Sequence, residues 1–147
     1  MDRYSTQEIL IGKKGQELLG AATVAIVGLG ALGSLSAQLL VRAGIGKLIV
    51  IDRDYIELGN LHRQFFNEED VGESKALIVE KQLKKINSKI KVEAHFDNLD
   101  YTNTEKLLAK ADLILDCTDN LETRFLINDF CMNHKVPFVY ASALGER

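Results

Sequence analysis

The sequence predicts an α/β protein with a Rossmann-like, doubly wound and mainly parallel sheet. An apolar, β-branched run over residues 23–28 leads into the pattern Gly28-x-Gly30-x-x-Gly33, and a helical pattern follows it. Further along the chain, short apolar runs alternate with helical periodicities, as parallel strands joined by crossover helices require. With 147 residues and 46% hydrophobic content, the chain is long enough to bury one core.

Each element is predicted from a local pattern. Apolar residues spaced by three and four predict helices, and short bounded apolar runs predict buried strands. A helical arm over 5–19, interrupted by a turn at its glycines, precedes the first strand. The predicted core consists of strand 23–28, helix 31–43, strand 47–52, helix 73–86, strand 90–96, helix 103–110, strand 112–117, helix 120–135 and strand 137–141. The polar stretch 53–72 has no clean periodicity, and compact domains rarely keep so long an irregular connection without a functional reason.

The same patterns predict how these elements pack. The helix over 31–43 is expected to have one apolar face, formed by Leu32, Leu35, Leu39 and Leu40. The alternation over 90–96 is typical of a strand near the edge of the sheet. We expect a single domain over 1–147, with the helical arm over 1–20 and the Rossmann-like core over 21–147. After the fifth strand the sequence ends at 144–147 without a further helix, so we expect the sheet to be truncated there.

Composition excludes several classes of function. A net charge of −3 argues against sequence-independent binding to nucleic acid, which needs a basic surface. The sequence contains no apolar run of about 18 residues and no signal-peptide pattern, so we expect a cytoplasmic protein with no membrane contact. Cys117 and Cys131 are isolated, and such cysteines are usually small buried hydrophobic residues. The three histidines are scattered and suggest no metal site.

The glycine pattern indicates a phosphate-binding turn. Gly28 permits the tight turn, Gly30 lets the backbone approach a phosphate, and Gly33 lets helix and strand pack closely. Asp52 lies 22 positions beyond Gly30 at the end of the second strand, where an acid accepts hydrogen bonds from ribose hydroxyls. The alternative for Asp52 is a turn cap. At this point an NAD site and an ATP site remain equally compatible with the sequence.

Charged residues beyond the second strand favour a triphosphate. Arg63 offers two parallel donors to phosphate oxygens, and Lys75 is expected to be a mobile point charge near a helix start. Asn60 and Gln64 add neutral donors, although a solvated surface segment would have a similar composition. Asp119 follows the fourth strand and is expected to face the phosphates across Mg²⁺. Its alternative role is the N-cap of the next helix.

These motifs together resemble the ThiF/MoeB/HesA adenylyltransferases, relatives of the ubiquitin-activating enzymes. The resemblance rests on Arg3-Tyr4-x-x-Gln7, the glycine pattern, Asp52, Asn60-x-x-Arg63-Gln64, Lys75 and the run Asp116-Cys117-Thr118-Asp119-Asn120. It implies that ATP and Mg²⁺ bind, and that the C-terminal glycine carboxylate of a ubiquitin-like sulfur-carrier protein is adenylated for molybdopterin or thiamine synthesis. It also implies a homodimer.

The resemblance assigns roles to residues of this chain. The glycine loop with Ala31 would hold the phosphates, Asp52 the ribose and Asp119 the metal, with Asn120 beside it. Arg63, Lys75 and Asp119 would be the catalytic residues. The residues expected around the triphosphate are Gly59, Asn60, Leu61, His62, Arg63, Gln64 and Lys75.

The chain departs from the family pattern in two places. Thr6 stands where the family has a second arginine that reaches the neighbouring subunit's ATP site. By comparison with the family pattern, we expect these 147 residues to lack the C-terminal half of the family domain with its zinc-binding cysteine pairs, so no zinc site is expected in them. Two other interpretations stay open, namely an NAD(P)-dependent oxidoreductase and a non-catalytic subunit like those of heterodimeric activating enzymes.

Overall fold

The computed structural model describes residues 2–143, a five-stranded sheet with helices on both faces. The helices are α1 (Ser5–Ala21), α2 (Ala31–Ala43), α3 (Lys75–Ile86), α4 (Thr104–Leu108) and α5 (Leu121–His134). The strands are β1 (Thr23–Val27), β2 (Lys47–Ile51), β3 (Lys91–His95), β4 (Leu113–Asp116) and β5 (Phe138–Tyr140). The expected truncation at 144–147 lies outside the described residues. No helix within 2–143 is long and apolar enough to cross a membrane.

All strand pairings in the described sheet are parallel, and the order is β3-β2-β1-β4-β5. The predicted fold class is therefore confirmed, as is the edge position of β3. The chain runs outward from β1 to β3 and then returns to place β4 on the other side of β1. This reversal opens a crevice at the carboxyl ends of β1 and β4, where ligands of such sheets bind. The loops after those two strands meet there.

β1 is buried on both faces, which explains its uninterrupted apolar sequence. Val24 and Ile26 pack beneath α2 and α3, whereas Ala25 and Val27 pack beneath α4 and α5. Ile26 is fully buried. Burial of one such side chain stabilises a fold by about 1.5–3 kcal/mol. The core on both faces of the sheet thus holds β1 in place, and with it the crevice at the carboxyl end of this strand.

The apolar face predicted for α2 is largely wrong. Of its four leucines only Leu40 packs against the core, and the exposed ones are Leu32, Leu35 and Leu39. The buried residues of this helix are small or β-branched, namely Gly33, Ser34, Ala37 and Val41. Small residues at this spacing let the helix lie close to the sheet directly after the glycine loop. Helical periodicity predicts that the face with the large leucines is buried. In this helix the buried face is instead the one whose small side chains let it lie close to the sheet.

The arm α1 is fastened to the ends of α2 and α3 that lie away from the crevice. The Gln7 and Gln16 side-chain amides donate to the Ala43 carbonyl, over 2.9 and 3.0 Å, at the end of α2. Arg3 donates to the Ile86 carbonyl at the end of α3, and Tyr4 accepts a hydrogen bond from Asn87. The motif Arg3-Tyr4-x-x-Gln7 is therefore an anchor for the arm. Gly12 interrupts the helix, with a φ of 72°.

At two positions of the glycine pattern, Gly28 and Gly33, the structure has no room for a side chain. Gly28 has a φ of 89°, and a Cβ there would lie 2.7 Å from the Cys117 carbonyl oxygen. A Cβ on Gly33 would lie 1.8 Å from the Gly28 carbonyl oxygen, which is backbone and cannot move aside. The turn, the helix start and the loop after β4 are thus in backbone contact.

We expect Gly33→Ala to lower the free energy of unfolding by about 2 kcal/mol or more, because the added methyl group must displace backbone. Chemical denaturation monitored by circular dichroism measures this change. Gly59→Ala is the matched control, since a Cβ at Gly59 would have no heavy atom within 4 Å. Equal stability of the two variants would contradict the close packing inferred for Gly33.

Candidate nucleotide-binding site

The glycine loop Gly28–Gly33 joins β1 to α2 at the centre of the crevice. The Gly28 N–H donates to the Ile51 carbonyl and the Cys117 N–H to the Val27 carbonyl, both over 2.9 Å. These bonds join the start of the glycine loop to the end of β2, and the loop after β4 to the end of β1. Within the described chain no side chain caps α2 at Gly30. Its first N–H groups and the positive end of its dipole are consequently available to an anion such as phosphate.

Asp52 ties the end of β2 to the glycine loop. Its Oδ2 accepts a hydrogen bond from the Leu29 N–H over 2.6 Å, and its Oδ1 accepts one from the Asp54 N–H over 2.7 Å. Burial raises the pKa of the Asp52 carboxyl, although these two bonds and the nearby Lys75 charge oppose the rise. Each carboxylate oxygen keeps a lone pair free, so a further acceptor position remains for a ribose hydroxyl.

Lys75 is held in place, so the expectation of a mobile charge is wrong. Its side chain is only 7% exposed, and its Nζ lies 2.9 Å from Asp54 Oδ2. Its backbone N–H also donates to the Asp54 carbonyl. The Ser74 hydroxyl caps α3 and so fixes where the helix begins. The positive charge of Lys75 is therefore positioned beside the carboxyl end of β2.

The segment 59–64 forms a compact turn against the glycine loop. Asn60 lies in a 3₁₀ turn (Leu58–Asn60), and its side chain caps that turn by accepting from the Glu57 N–H. The Arg63 guanidinium is exposed and donates to the Gly59 carbonyl over 3.1 Å. Gln64 is buried, with its Nε2 lying 3.7 Å from the position a Cβ on Gly30 would take. The Gln64 side chain thus lies against the glycine loop.

An open groove of about 700 Å³ lies on the other side of this segment, between α2 and α3. The predicted residues that line it are Leu61, His62, Arg63 and Gln64. Arg42 and Lys85 also line it, and the lining contains no acidic residue. The Arg63 side chain therefore lies at the boundary between the groove and the turn, with free donors that face solvent.

The loop after β4 carries Asp119 and Asn120. Asn120 is the N-cap of α5, since its Oδ1 accepts from the Thr123 N–H over 2.9 Å. The alternative of Asp119 as the cap is thus wrong. Asp119 is exposed, and within residues 2–143 its carboxylate accepts no hydrogen bond. The carboxylate is free to bind a cation, and Cys117 places its loop against Gly28.

The side chains of the site fit a magnesium ion held together with substrate phosphates, and they disfavour a cysteine nucleophile. Residues 2–143 contain no cluster of three or more metal-ligating side chains. Mg²⁺ needs no such cluster, because it is usually held by one or two carboxylates together with substrate phosphates, and the free Asp119 carboxylate fits that pattern. Burial raises the pKa of Cys117 to about 11, so this thiol is protonated at neutral pH and is a poor nucleophile.

Sequence reasoning assigned no role to three residues of the site, one of which, Asp116, it had named only as part of a motif. Asp54 pairs with Lys75, while Asp116 and Arg124 lie on either side of the loop after β4. The pattern Asp52-x-Asp54 after a strand was the available signal for the first. A carboxylate at the end of a buried strand was the signal for Asp116. Arg124 had no local signal, because its hydrogen-bond partners lie 6 and 16 positions away and meet it only in the folded chain.

Comparison with known proteins gives a consistent result. The model of the ThiF family matches residues 4–147. The chain is 41% identical to the "Sulfur carrier protein ThiS adenylyltransferase" of Bacillus subtilis (strain 168), covering 98% of this chain and 44% of that protein. It is 45% identical to "Adenylyltransferase and sulfurtransferase MOCS3" of Anopheles gambiae, covering 97% of this chain and 33% of that protein. The chain thus spans a third to less than half of these relatives.

A solved structure extends the comparison to a bound nucleotide. The crystal structure of E. coli tRNA N6-threonylcarbamoyladenosine dehydratase, TcdA, in complex with ATP superposes on this chain with a TM-score of 0.93. The two chains are 26% identical, and the match covers 99% of this chain and 60% of that one.

We expect Asp54→Asn to lower the free energy of unfolding by about 1–2 kcal/mol, because it leaves the buried Lys75 ammonium without its charged partner. Denaturant titration at neutral pH measures the loss. Glu80→Gln is the control, since it removes the exposed i,i+4 pair with Lys84 and should change stability by less than about 0.5 kcal/mol. A loss no greater than that of the control would contradict the positioning of Lys75 by Asp54.

Proposed function

The chain belongs to the ThiF family, and from this premise we propose that it is the ATP-binding part of an adenylyltransferase. Its substrate is the C-terminal glycine carboxylate of a ubiquitin-like sulfur-carrier protein. The observation that carries the proposal is the glycine loop. It has no room for a side chain at Gly28 or Gly33, no side chain of residues 2–143 caps the helix that follows it, and Asp52, Lys75 and Asp119 lie on the elements around it. The ATP complex of TcdA, which has the same fold, supports nucleotide binding by this chain.

We assign the parts of ATP to residues by their chemistry. The phosphates lie along the loop at Gly28, Gly30, Ala31 and Gly33, beside the first N–H groups of α2, which no side chain of residues 2–143 caps. Asp52 accepts the ribose hydroxyls with the lone pairs its two backbone bonds leave free. The triphosphate is surrounded by the turn with Gly59, Asn60, Leu61, His62 and Gln64, and by the charges of Arg63 and Lys75. Asn120 completes the loop on the opposite side.

The proposed reaction requires positioning more than a protein nucleophile. An oxygen of the carrier's terminal carboxylate attacks the α-phosphorus of ATP. An O–P bond forms as the bond from the α-phosphorus to the bridging oxygen breaks, and pyrophosphate leaves with that electron pair. Arg63 and Lys75 stabilise the negative charge that builds up on the phosphate oxygens. Asp119 would hold Mg²⁺, which when bound neutralises further phosphate charge.

Relatives suggest which substrate class to test first. The two sequence relatives at 41% and 45% identity carry names that refer to sulfur carriers or sulfur transfer. TcdA, at 26% identity, is named as an enzyme of tRNA. The acidic composition of this chain disfavours a nucleic-acid substrate, because binding to phosphate backbones needs basic surface. A protein carboxylate is therefore the better candidate.

We expect the chain to bind ATP in the presence of Mg²⁺, with no measurable affinity for NAD at the same concentration. Isothermal titration calorimetry of the two nucleotides measures this. Tighter binding of NAD would contradict the proposal and favour an oxidoreductase. In an oxidoreductase, Asp119 and Lys75 would have no role in binding the nucleotide.

For catalysis, we expect Arg63→Ala to lower carrier-dependent ATP–pyrophosphate exchange by about a hundredfold in the complete gene product, since one transition-state donor is lost. Arg42→Ala is the matched control, because it removes the same charge from the same groove outside the motif. Undiminished exchange in Arg63→Ala would contradict the role of Arg63. Carrier binding without any exchange in the wild type would favour a non-catalytic subunit.

We further propose that the chain forms a homodimer through its exposed apolar side chains. Leu32, Leu35 and Leu39 lie along one exposed face of α2, and Ile9 and Leu10 of the arm are 86% and 88% exposed. A monomer gains nothing from this arrangement, whereas a second copy would bury it. Thr6 is exposed on α1, and Arg3 already caps α3. Neither residue supplies the second arginine that family members direct at their partner's site.

We expect Leu35→Glu with Leu39→Glu to convert the dimer into a monomer, because two charges cannot be buried in an apolar contact. Light scattering after size-exclusion chromatography measures the mass. Met132→Glu is the control, as Met132 is 70% exposed on α5, on the other face of the sheet. A monomeric wild type would contradict the proposal, and so would dissociation caused by the control alone.

A further inference from the structure

Arg124, in the first turn of α5, joins the ends of two strands. Its side chain is 15% exposed. Nη1 donates to the Tyr140 hydroxyl at the end of β5 over 2.6 Å, and Nη2 donates to the Thr118 carbonyl after β4. The guanidinium also lies over the Tyr140 ring, with its Cζ 4.2 Å from the ring centroid. One planar group thus holds three parts of the chain together.

Asp116 fastens the same loop from within the sheet. Its carboxylate is 1% exposed, and its Oδ1 accepts from the Thr118 N–H over 3.0 Å and from the Thr118 hydroxyl over 2.7 Å. Its Oδ2 lies 3.6 Å from Arg124 Nε, and within residues 2–143 neither of these buried atoms has a hydrogen-bond partner. The Thr118 amide and hydroxyl are therefore bonded to Asp116, and its carbonyl is bonded to Arg124.

Asp119 lies between two fastened neighbours. Thr118 is held by Asp116 and Arg124, and Asn120 is held by its cap on the Thr123 N–H. The exposed Asp119 carboxylate accepts no hydrogen bond within the described chain, so only its neighbours set its direction. The loop cannot retreat toward β1, because the Cys117 carbonyl already lies against Gly28.

We propose that Arg124 is a positioning residue that directs the Asp119 carboxylate toward the metal and the phosphates by fastening Thr118. The inference rests on the proposed function, since it presupposes a metal-bound nucleotide at the glycine loop. The role requires the planar guanidinium, whose Nη1 and Nη2 donate in different directions while Nε faces the Asp116 carboxylate. A lysine keeps the charge but has one nitrogen and cannot reach Asp116, Thr118 and Tyr140 together.

The test compares Arg124→Lys, Asp119→Asn and the double variant in the chain itself. ATP affinity is measured by calorimetry with saturating Mg²⁺ and again with a chelator. We expect Arg124→Lys to lower the affinity for ATP with Mg²⁺ about tenfold and to leave the affinity without metal within about twofold. The double variant should bind no more weakly than Asp119→Asn, because residues that act through one another are not additive.

A second measurement does not depend on the nucleotide. Hydrogen–deuterium exchange of the peptide covering 113–120 should become faster in Arg124→Lys, because the Thr118 amide loses part of its protection. Tyr140→Phe keeps the ring and removes only the hydroxyl acceptor, and should give the same pattern with an affinity loss of about twofold to threefold. Arg42→Lys, exposed on the opposite face of the sheet, is the matched control and should change neither measurement.

The outcomes separate this inference from the proposed function. Equal losses with and without metal, additive losses in the double variant, or a wild-type response in Arg124→Lys would each overturn the positioning role and leave ATP binding intact. A wild-type chain without metal-dependent ATP binding would overturn both, since no metal would then need to be positioned.

Discussion

The close approach of backbone to backbone at the glycine loop is the constraint on which the rest of the structure depends. Without side chains at Gly28 and Gly33, the turn after β1 touches the loop after β4 and α2 starts directly against the sheet. That contact requires small residues on the buried face of α2 and leaves Leu32, Leu35 and Leu39 on the outside. The parallel order β2-β1-β4 places the carboxyl ends of these strands side by side, so the charged residues that follow them lie near one crevice.

The charged residues around this crevice divide into a fixed set and a free set. Asp52, Lys75 and Asp116 are buried, and each is held by a defined partner at hydrogen-bond or ion-pair distance. Arg63 and Asp119 are exposed, with donors or acceptors left over for a ligand. A buried charge must be satisfied within the protein, whereas an exposed charge can exchange water for ligand at little cost. The fixed set therefore shapes the crevice, and in the proposed function the free set would contact the substrate.

Much of this fold could be predicted from the sequence, because strands buried on both faces leave uninterrupted apolar runs such as the one in β1. The order of the motifs also placed the glycine loop and Asp119 on neighbouring loops. The leucines of α2 could not be placed this way, because periodicity does not show how closely a helix approaches its sheet. The burial of Lys75 and the role of Arg124 depend on partners 21 and 6 or more positions away, which local patterns do not reveal.

The hydrogen bond from the Leu29 N–H to Asp52 has a consequence for how such a site can evolve. The same carboxylate shapes the phosphate loop and, in the proposed site, selects the sugar. A substitution of Asp52 that altered the preference for the sugar would also remove the hydrogen bond that holds the loop. Sugar preference and loop conformation therefore cannot change independently. Diversification is then easier at the exposed residues, which can change without disturbing either. A scaffold of this kind would keep its nucleotide while its descendants acquire new acceptors.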